Sequence, residues 1–245
     1  MQSADPLDKP APLRNVANFT MLLEKVVNRR SCLPGMATFY GVSGLGKSRS
    51  ATFAAGRSRA TYVECGQFTT AKSLLEALLK ELGVAKPRGT VPRLIEDAIY
   101  LLAADPRRPV IVDEAHHIAH KRFVDLLREL HDKSGAPVIL IGEETLPKQL
   151  ETHERVHNRM LDWVQALPLD RDDLNTFAGW LFPELRMSDE LAERILRETH
   201  GNTRRAMVNL DKAAEAMRRT GAKEATSILV RDLIRSSAPA PRRAS

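Results

Sequence analysis

Gly41-Val42-Ser43-Gly44-Leu45-Gly46-Lys47-Ser48 is the stretch on which the reading of this chain turns. It fits the phosphate-binding template G-x-x-x-x-G-K-[ST]. An apolar run, Met36 to Tyr40, precedes it, and a helix-like stretch, Arg49 to Ala55, follows it. Strand, glycine loop and helix come in the order the template needs. Glycines let the backbone curl until successive N–H groups point inward at phosphate oxygens. The helix that follows adds its N-terminal partial positive charge at the same place. In that frame Gly41, Val42, Ser43, Gly44, Leu45, Gly46, Lys47, Ser48 and Arg49 are the nucleotide-binding candidates. Lys47 would reach the β/γ-phosphates of ATP, and the Ser48 hydroxyl would ligate Mg²⁺. The plain alternative is an ordinary glycine-rich turn, and Lys-Ser in register speaks against it.

A second motif supports the first. Val110-Ile111-Val112-Asp113-Glu114 reads as a buried strand ending in two carboxylates. At the C-terminal end of a strand they would face the same crevice as the glycine loop. Asp113 is then the Mg²⁺ partner and Glu114 the base that positions or deprotonates the attacking water. Alone, Asp-Glu after a strand is a common surface turn; paired with the loop it points to nucleotide hydrolysis. The neighbouring His116, His117 and His120 invite a metal reading, but capping or helix-surface roles fit them better.

Alternation along the chain predicts the architecture. Strands are expected at 37–40, 60–65, 109–112, 137–141 and 164–167, separated by helices at 16–30, 49–55, 71–82, 91–103, 121–133 and 147–161. Short apolar strands alternating with helices imply an α/β fold, a parallel sheet covered on both faces. After Pro168 the pattern changes to helices only, at 174–181, 189–199, 204–218 and 225–234. The expected organisation is a flexible arm over 1–13, a nucleotide-binding domain over 14–168, a small helical lid domain over 169–235, and a disordered basic tail over 236–245.

Composition sets outer bounds. The 245 residues carry a net charge of +6, with 43% hydrophobic and only 5% aromatic residues, so aliphatic side chains must build the core. The mild basic excess favours an anionic partner, nucleic acid above all. Two cysteines, Cys32 and Cys65, have no metal-ligand spacing and imply a reducing compartment. No apolar run approaches a membrane span and the first residues lack a signal-peptide core, so a cytoplasmic location with no membrane partner is expected.

Two arginine clusters could complete the site. Arg155 and Arg159, four apart, would share a helix face. From there one could enter a neighbouring subunit's site and stabilise charge on the transferring phosphoryl group. A solvated basic face is the competing reading. Gly201-Asn202-Thr203-Arg204-Arg205 opens a predicted helix, with Asn202 or Thr203 as its cap, and Arg204 or Arg205 could lean onto a γ-phosphate of the same chain.

Together these features resemble the AAA+ ATPases. Within them the chain is similar to the B-type ATPases of transposing phages and transposons, the Mu B, TniB and TnsC-like proteins. The likeness rests on Pro12–Val16, Leu33–Gly41, Val110–His117 and Val138–Glu144. It implies Lys47, Ser48, Asp113 and Glu114 in the roles given above, Arg159 (or Arg155) as a finger in trans, and Arg204 as the lid sensor. Arg14 and Val16 would lie where such proteins cradle the base. Where many relatives carry a polar residue after strand four, this chain has Gly142-Glu143-Glu144-Thr145, which leaves the first sensor open. The resemblance further implies an ATP-dependent homo-oligomer, a ring or filament, on double-stranded DNA of loose sequence preference. Such an assembly recruits and activates a transposase. Loops carrying Lys72, Lys121 and Arg122 are the candidate DNA contacts, with Arg57 and Arg59 as further options. An AAA+ replication or repair loader, or a signalling or secretion ATPase without DNA, are the alternatives.

Overall fold

Five short, largely apolar segments can bury their backbones only by pairing with each other. They do so in one parallel sheet of order β2-β3-β4-β1-β5. The strands are β1 (Met36–Tyr40), β2 (Thr61–Glu64), β3 (Val110–Asp113), β4 (Val138–Gly142) and β5 (Met160–Gln165). The computed structural model describes residues 11–235, less the side chain of Arg122. Residues 1–10 of the expected arm and the expected tail at 236–245 lie outside that range.

Strand order fixes where a ligand can sit. From β1 the chain crosses to the far edge at β2 and returns through β3 to β4, beside β1. It then jumps over β1 to β5. The order therefore reverses around β1, and the crevice at such a reversal opens beyond the C-terminal strand ends. The glycine loop starts at that end of β1. Asp113 ends β3, and Gly142 ends β4.

Helices cover the sheet. They are α1 (Arg14–Val27), α2 (Lys47–Ser58), α3 (Ala71–Glu81), α4 (Val91–Ala103), α5 (His116–Ala119), α6 (Asp125–Ser134), α7 (Leu146–Glu151) and α8 (Glu154–His157). The core between α3, α4, α6 and the sheet is aliphatic, with Leu75, Leu78, Leu94, Leu102, Leu127 and Leu130 fully buried. Phe19 of α1 meets Phe39 of β1 edge-on at 5.3 Å between centroids, an aromatic pair that adds about 0.5–1.5 kcal/mol beyond area burial.

The chain forms two compact units. One comprises residues 15–43 and 47–166, the α/β unit. The other comprises residues 11–14, 44–46 and 167–235. This helical unit holds α9 (Arg171–Leu181), α10 (Asp189–Thr199) and α11 (Thr203–Thr220). Side chains cap each start: Asp170 accepts from Asp173 N–H, Ser188 from Leu191 N–H, and Asn202 from Arg205 N–H. Ala11 and Leu13, read from the sequence as arm, pack into this unit's core with Leu174, Ile195 and Leu210.

Four sequence expectations need correction. The predicted helix at 225–234 is absent. Ala225 instead forms a parallel bridge with Met187. The carbonyls of Ser227 and Arg231 accept from Arg194, that of Leu233 from Lys212, and that of Arg235 from Asn209. Side chains from α10 and α11 hold the segment as a run of turns, and the Ser227 carbonyl, which a helix would use internally, is taken by Arg194. The predicted helix at 147–161 is two short helices, α7 and α8. The fifth strand starts at Met160 rather than 164 because Asp162, an unpromising strand residue, is held by Lys25 at 2.7 Å. The predicted helix at 121–133 starts at Asp125, after a tight turn of 3-10 type over Arg122–Val124.

Candidate nucleotide site

The loop between β1 and α2 takes a shape that only glycines hold without strain. Gly46 has φ +83°, in the left-handed region. Gly41 has φ +153°, and a Cβ there would stand 3.3 Å from both Cβ and the carbonyl oxygen of Ala166. The Gly41 N–H donates to the Gly142 carbonyl at 3.2 Å, which ties the loop's start to the end of β4. Lys47 opens α2 and is 8% exposed. Its Nζ curls back and donates to the carbonyls of Gly41 (2.6 Å) and Val42 (3.0 Å). Ser48 and Arg49 follow on the first turn of α2 and are exposed.

Burial pushes the Lys47 ammonium pKa below its ordinary value, opposed by the carboxylates of Glu114, Asp113, Glu143 and Glu144. Four acids therefore converge on one buried lysine at the crevice. A bare polyphosphate would meet net repulsion there, which a bound divalent cation lessens. The donor set thus fits ATP together with Mg²⁺.

Asp113 is 1% exposed. One of its oxygens accepts from the Glu114 N–H at 2.8 Å and the other from the Tyr62 hydroxyl at 2.5 Å. Two donors orient a carboxylate that burial alone would destabilise. Burial, then the hydrogen bond to Asp113, raises the Tyr62 pKa far above its ordinary value, so its proton stays in place. Tyr62 escaped the sequence reading. It stands on β2, and nothing in a linear sequence reveals that β2 pairs with β3 so that Glu64 lies beside Asp113.

Glu114 leaves the strand with φ +52°, a sparsely populated conformation for a residue with a side chain. It turns its carboxylate out of the sheet, half-exposed, with Oε2 at 3.2 Å from His116 Nδ1. His116, expected on a helix surface, is mostly buried beside this acid, and His117 lies against it with ring centroids 4.1 Å apart. Ligand atoms of Glu114, His116 and His117 fall within 4.8 Å of one another. His120, at the end of α5, is exposed. Gly142 closes β4 against the backbone nitrogen of His116 and the Leu146 side chain, so a Cβ there would stand 3.3 Å from that nitrogen and would push the Leu146 side chain aside. Glu143 and Glu144 follow it.

Arg155 and Arg159 do not share a helix. Arg155 is exposed on α8, which ends at His157, while Arg159 leads into β5. Arg159 donates through Nε to Asp132 Oδ1 at 2.7 Å, and Arg128 binds the other oxygen of Asp132 at 2.8 Å. Burial works to raise the Asp132 pKa, but the two arginines outweigh it and hold the carboxyl below its ordinary range. A cavity of about 430 Å³ opens here, lined by Arg29, Cys32, His131, Asp132, Asn158 and Arg159 among others. Burial also lowers the His131 pKa, helped by the nearby Arg29 guanidinium, while a bond to the Ala136 carbonyl resists.

In the helical unit Asn202, not Thr203, caps α11. The Arg204 N–H donates to the Gly44 carbonyl at 3.1 Å, and the Arg204 side chain is exposed. Arg14 is committed elsewhere, to Asp173 (2.6 Å), Asp170 (3.0 Å) and the Pro168 carbonyl (2.8 Å). It pins the start of α1 rather than presenting a free guanidinium. Of the candidate DNA contacts, Lys72 is exposed near Glu76 at 3.8 Å. Lys121 is bound to the carbonyls of Gln67 and Thr69. The side chain of Arg122 lies outside the described residues. Arg57 and Arg59 are exposed, Arg57 over the Phe53 ring. No helix of the described residues is long and apolar enough to cross a membrane.

Residues 32–150 match the family model described as AAA domain. No curated protein matches the sequence. The chain is similar in structure to Cdc6p from Pyrobaculum aerophilum, with 18% identity and a TM-score of 0.68 over 97% of this chain and 71% of that one. It is also similar to the Aeropyrum pernix ORC2 protein, solved as ADPNP–ADP complexes (17%, TM-score 0.72, 95% and 71%). A third likeness is to the Aeropyrum pernix ORC1 protein in complex with DNA (19%, TM-score 0.63, 91% and 65%). The fold is therefore the P-loop fold of the AAA+ class: a parallel sheet flanked by helices, with a helical C-terminal region.

Proposed function

We propose that the protein is an ATPase that assembles on duplex DNA in its ATP-bound state and, in that form, recruits and activates a transposase. The observation that carries the nucleotide part is the convergence of Lys47, Asp113 and Glu114 at the C-terminal ends of β1 and β3, with two further acids beside them. Ser48 and Asp113 would hold Mg²⁺, which neutralises phosphate charge when bound. Lys47 exchanges its carbonyl partners for phosphate oxygens. Glu114, the half-exposed acid, orients the attacking water and accepts its proton. Arg204 serves as the lid sensor.

Sheet geometry supports an arginine supplied in trans. Arg159 adjoins the N-terminal end of β1, where its carbonyl accepts from Met36 N–H at 3.0 Å. The glycine loop adjoins the other end of the same strand. Five extended residues separate the two by about 16 Å, which no arginine side chain spans. Arg159 can reach only the nucleotide of another copy, so the complete site needs a head-to-tail neighbour. Such an interface closes into a ring or runs on as a filament, and it makes assembly dependent on ATP.

DNA binding rests on the basic balance of the chain, on the resemblance to Mu B-type proteins, and on the similarity to a protein solved in complex with DNA. The test is filter binding of random duplex to the parent chain and to Glu114→Gln, with and without ATP. ATP-dependent retention is expected for both, with dissociation slowed at least about tenfold in Glu114→Gln, because hydrolysis no longer resets the assembly. Retention indifferent to ATP sinks the reading. Adding a cognate transposase and scoring strand transfer separates the transposition role from that of a replication or repair loader.

A further inference from the structure

Phe68 stands in the loop between β2 and α3 with 89% of its surface exposed, more than any other large apolar side chain among the described residues. A lone apolar side chain on a slack loop needs no explanation. This loop is not slack. The Gly66 N–H donates to Thr69 Oγ1 at 2.8 Å, and the Thr69 N–H returns to the Gly66 carbonyl at 3.0 Å. From outside the loop, Lys121 Nζ donates to the carbonyls of Gln67 (3.0 Å) and Thr69 (2.8 Å), one on either side of Phe68. Immediately after, Thr70 and Ser73 form a reciprocal capping box at the start of α3. The aromatic ring is therefore held out into solvent by fixed backbone on both sides.

Two lysines flank the loop, Lys121 and Lys72, the latter 3.8 Å from Glu76. The Lys121 ammonium holds the backbone carbonyls on either side of Phe68. The first turn of α3 has no acid and carries Lys72, which is mostly exposed, and the helix N-terminus adds its own partial charge. An apolar plate on a rigid, cationic tip, on a chain of net charge +6, complements a polyanion that stacks flat rings. We propose that Phe68 is a wedge that enters duplex DNA between two base pairs. Apolar side chains used in this way partly unstack a step and kink the helix, most easily at flexible pyrimidine–purine steps. Lys121 then acts as a positioning residue that stiffens the wedge rather than as a phosphate contact. This assignment rests on the DNA-binding reading above and adds to it the point of entry.

The experiment uses the full chain with ATP and Mg²⁺ and a duplex carrying 2-aminopurine at a TA step. The parent is expected to raise the 2-aminopurine fluorescence on binding. Phe68→Ala loses that rise and binds about tenfold or more weakly, the scale of one lost aromatic–base stack, while its ATP hydrolysis without DNA is unchanged. Phe68→Trp retains the rise. Lys121→Met, which frees the loop, gives a smaller rise than the parent. Phe68→Ala matching the parent in both affinity and fluorescence overturns the wedge and leaves DNA binding standing. A parent chain that binds no duplex removes the DNA reading, and the wedge with it.

Discussion

The two ends of the parallel sheet in the α/β unit carry opposite chemistry. Beyond the C-terminal ends lie Asp113, Glu114, Glu143 and Glu144 around a single buried lysine. Beyond the N-terminal ends lie Arg29, Arg159 and a buried His131, with Asp132 the one acid lining that cavity. One end is arranged to accept a cation-bound phosphate chain and the other to present cations to an anion. Because all strands run the same way, neither end can serve the other within one chain. On the reading proposed above, the difference is a division of labour between copies: each would contribute an acceptor face and a donor face, with the chemistry where they meet. Asp132 fits that picture as a holding partner. It keeps Arg159 in place and charged-paired until a stronger anion arrives.

The largest effect should come from breaking the acceptor end. Lys47→Ala removes the only cation the four acids surround. Ground-state phosphate binding falls by about 100-fold, the worth of a charge-assisted contact, and transition-state stabilisation falls by a similar factor. About a 10⁴-fold loss in kcat/KM and complete loss of ATP-dependent assembly are expected from steady-state ATPase assays and light scattering. Assembly that still responds to ATP in this variant would place the phosphates somewhere other than this loop.

Breaking the donor end should leave a different signature. Arg159→Ala is expected to lower kcat by about 10³-fold, the scale of an arginine supplied in trans, while nucleotide affinity of the isolated chain stays within about twofold of the parent. Mixing Arg159→Ala with Lys47→Ala restores turnover at mixed interfaces, since each variant supplies what the other lacks. A large loss of monomer affinity in Arg159→Ala contradicts the separation of the two ends. The same variant leaves Asp132 with Arg128 alone. Because the folded-state pKa of Asp132 is depressed, its contribution to stability is present above the unfolded pKa and is lost as pH falls through the folded one. Arg159→Ala raises that folded pKa, so acid unfolding, followed by circular dichroism, begins at a higher pH.

How much of this was visible in the sequence depends on how local each feature is. The glycine loop and the Asp113-Glu114 pair are contiguous strings whose neighbours in sequence are also their neighbours in space, and the alternation of strands and helices marked the sheet that presents them. The helix face that Arg155 and Arg159 would share does not exist, because α8 ends at His157 and Arg159 leads into β5. What failed was whatever depends on distant partners. The segment 225–234 has an amphipathic look, yet Arg194 and Lys212 bind three of its carbonyls. The strand at 160–165 hides behind Asp162, whose charge is compensated only by Lys25 from α1. Lys121 looked like a free cation because its two carbonyl acceptors lie more than fifty residues earlier.

Tyr62 sharpens the comparison at its finest grain, because it tests whether the acceptor end is tuned or merely acidic. Its hydroxyl is one of the two donors that fix Asp113. If that carboxylate holds Mg²⁺, its orientation matters, and partners one step removed from a metal are commonly worth 10- to 100-fold in metal affinity. Tyr62→Phe keeps the ring and its packing and removes one oxygen. The expected outcome is about a tenfold rise in the Mg²⁺ concentration for half-maximal ATP hydrolysis, at the low end of that range because the Glu114 N–H still holds the other oxygen. The maximal rate at saturating Mg²⁺ changes little, and thermal stability falls by only about 1 kcal/mol, the worth of one hydrogen bond. A purely structural tyrosine would give the stability loss with an unshifted Mg²⁺ titration. That result would mean the buried acid is held well enough by its own backbone, and that the charge at this end of the sheet matters more than its aim.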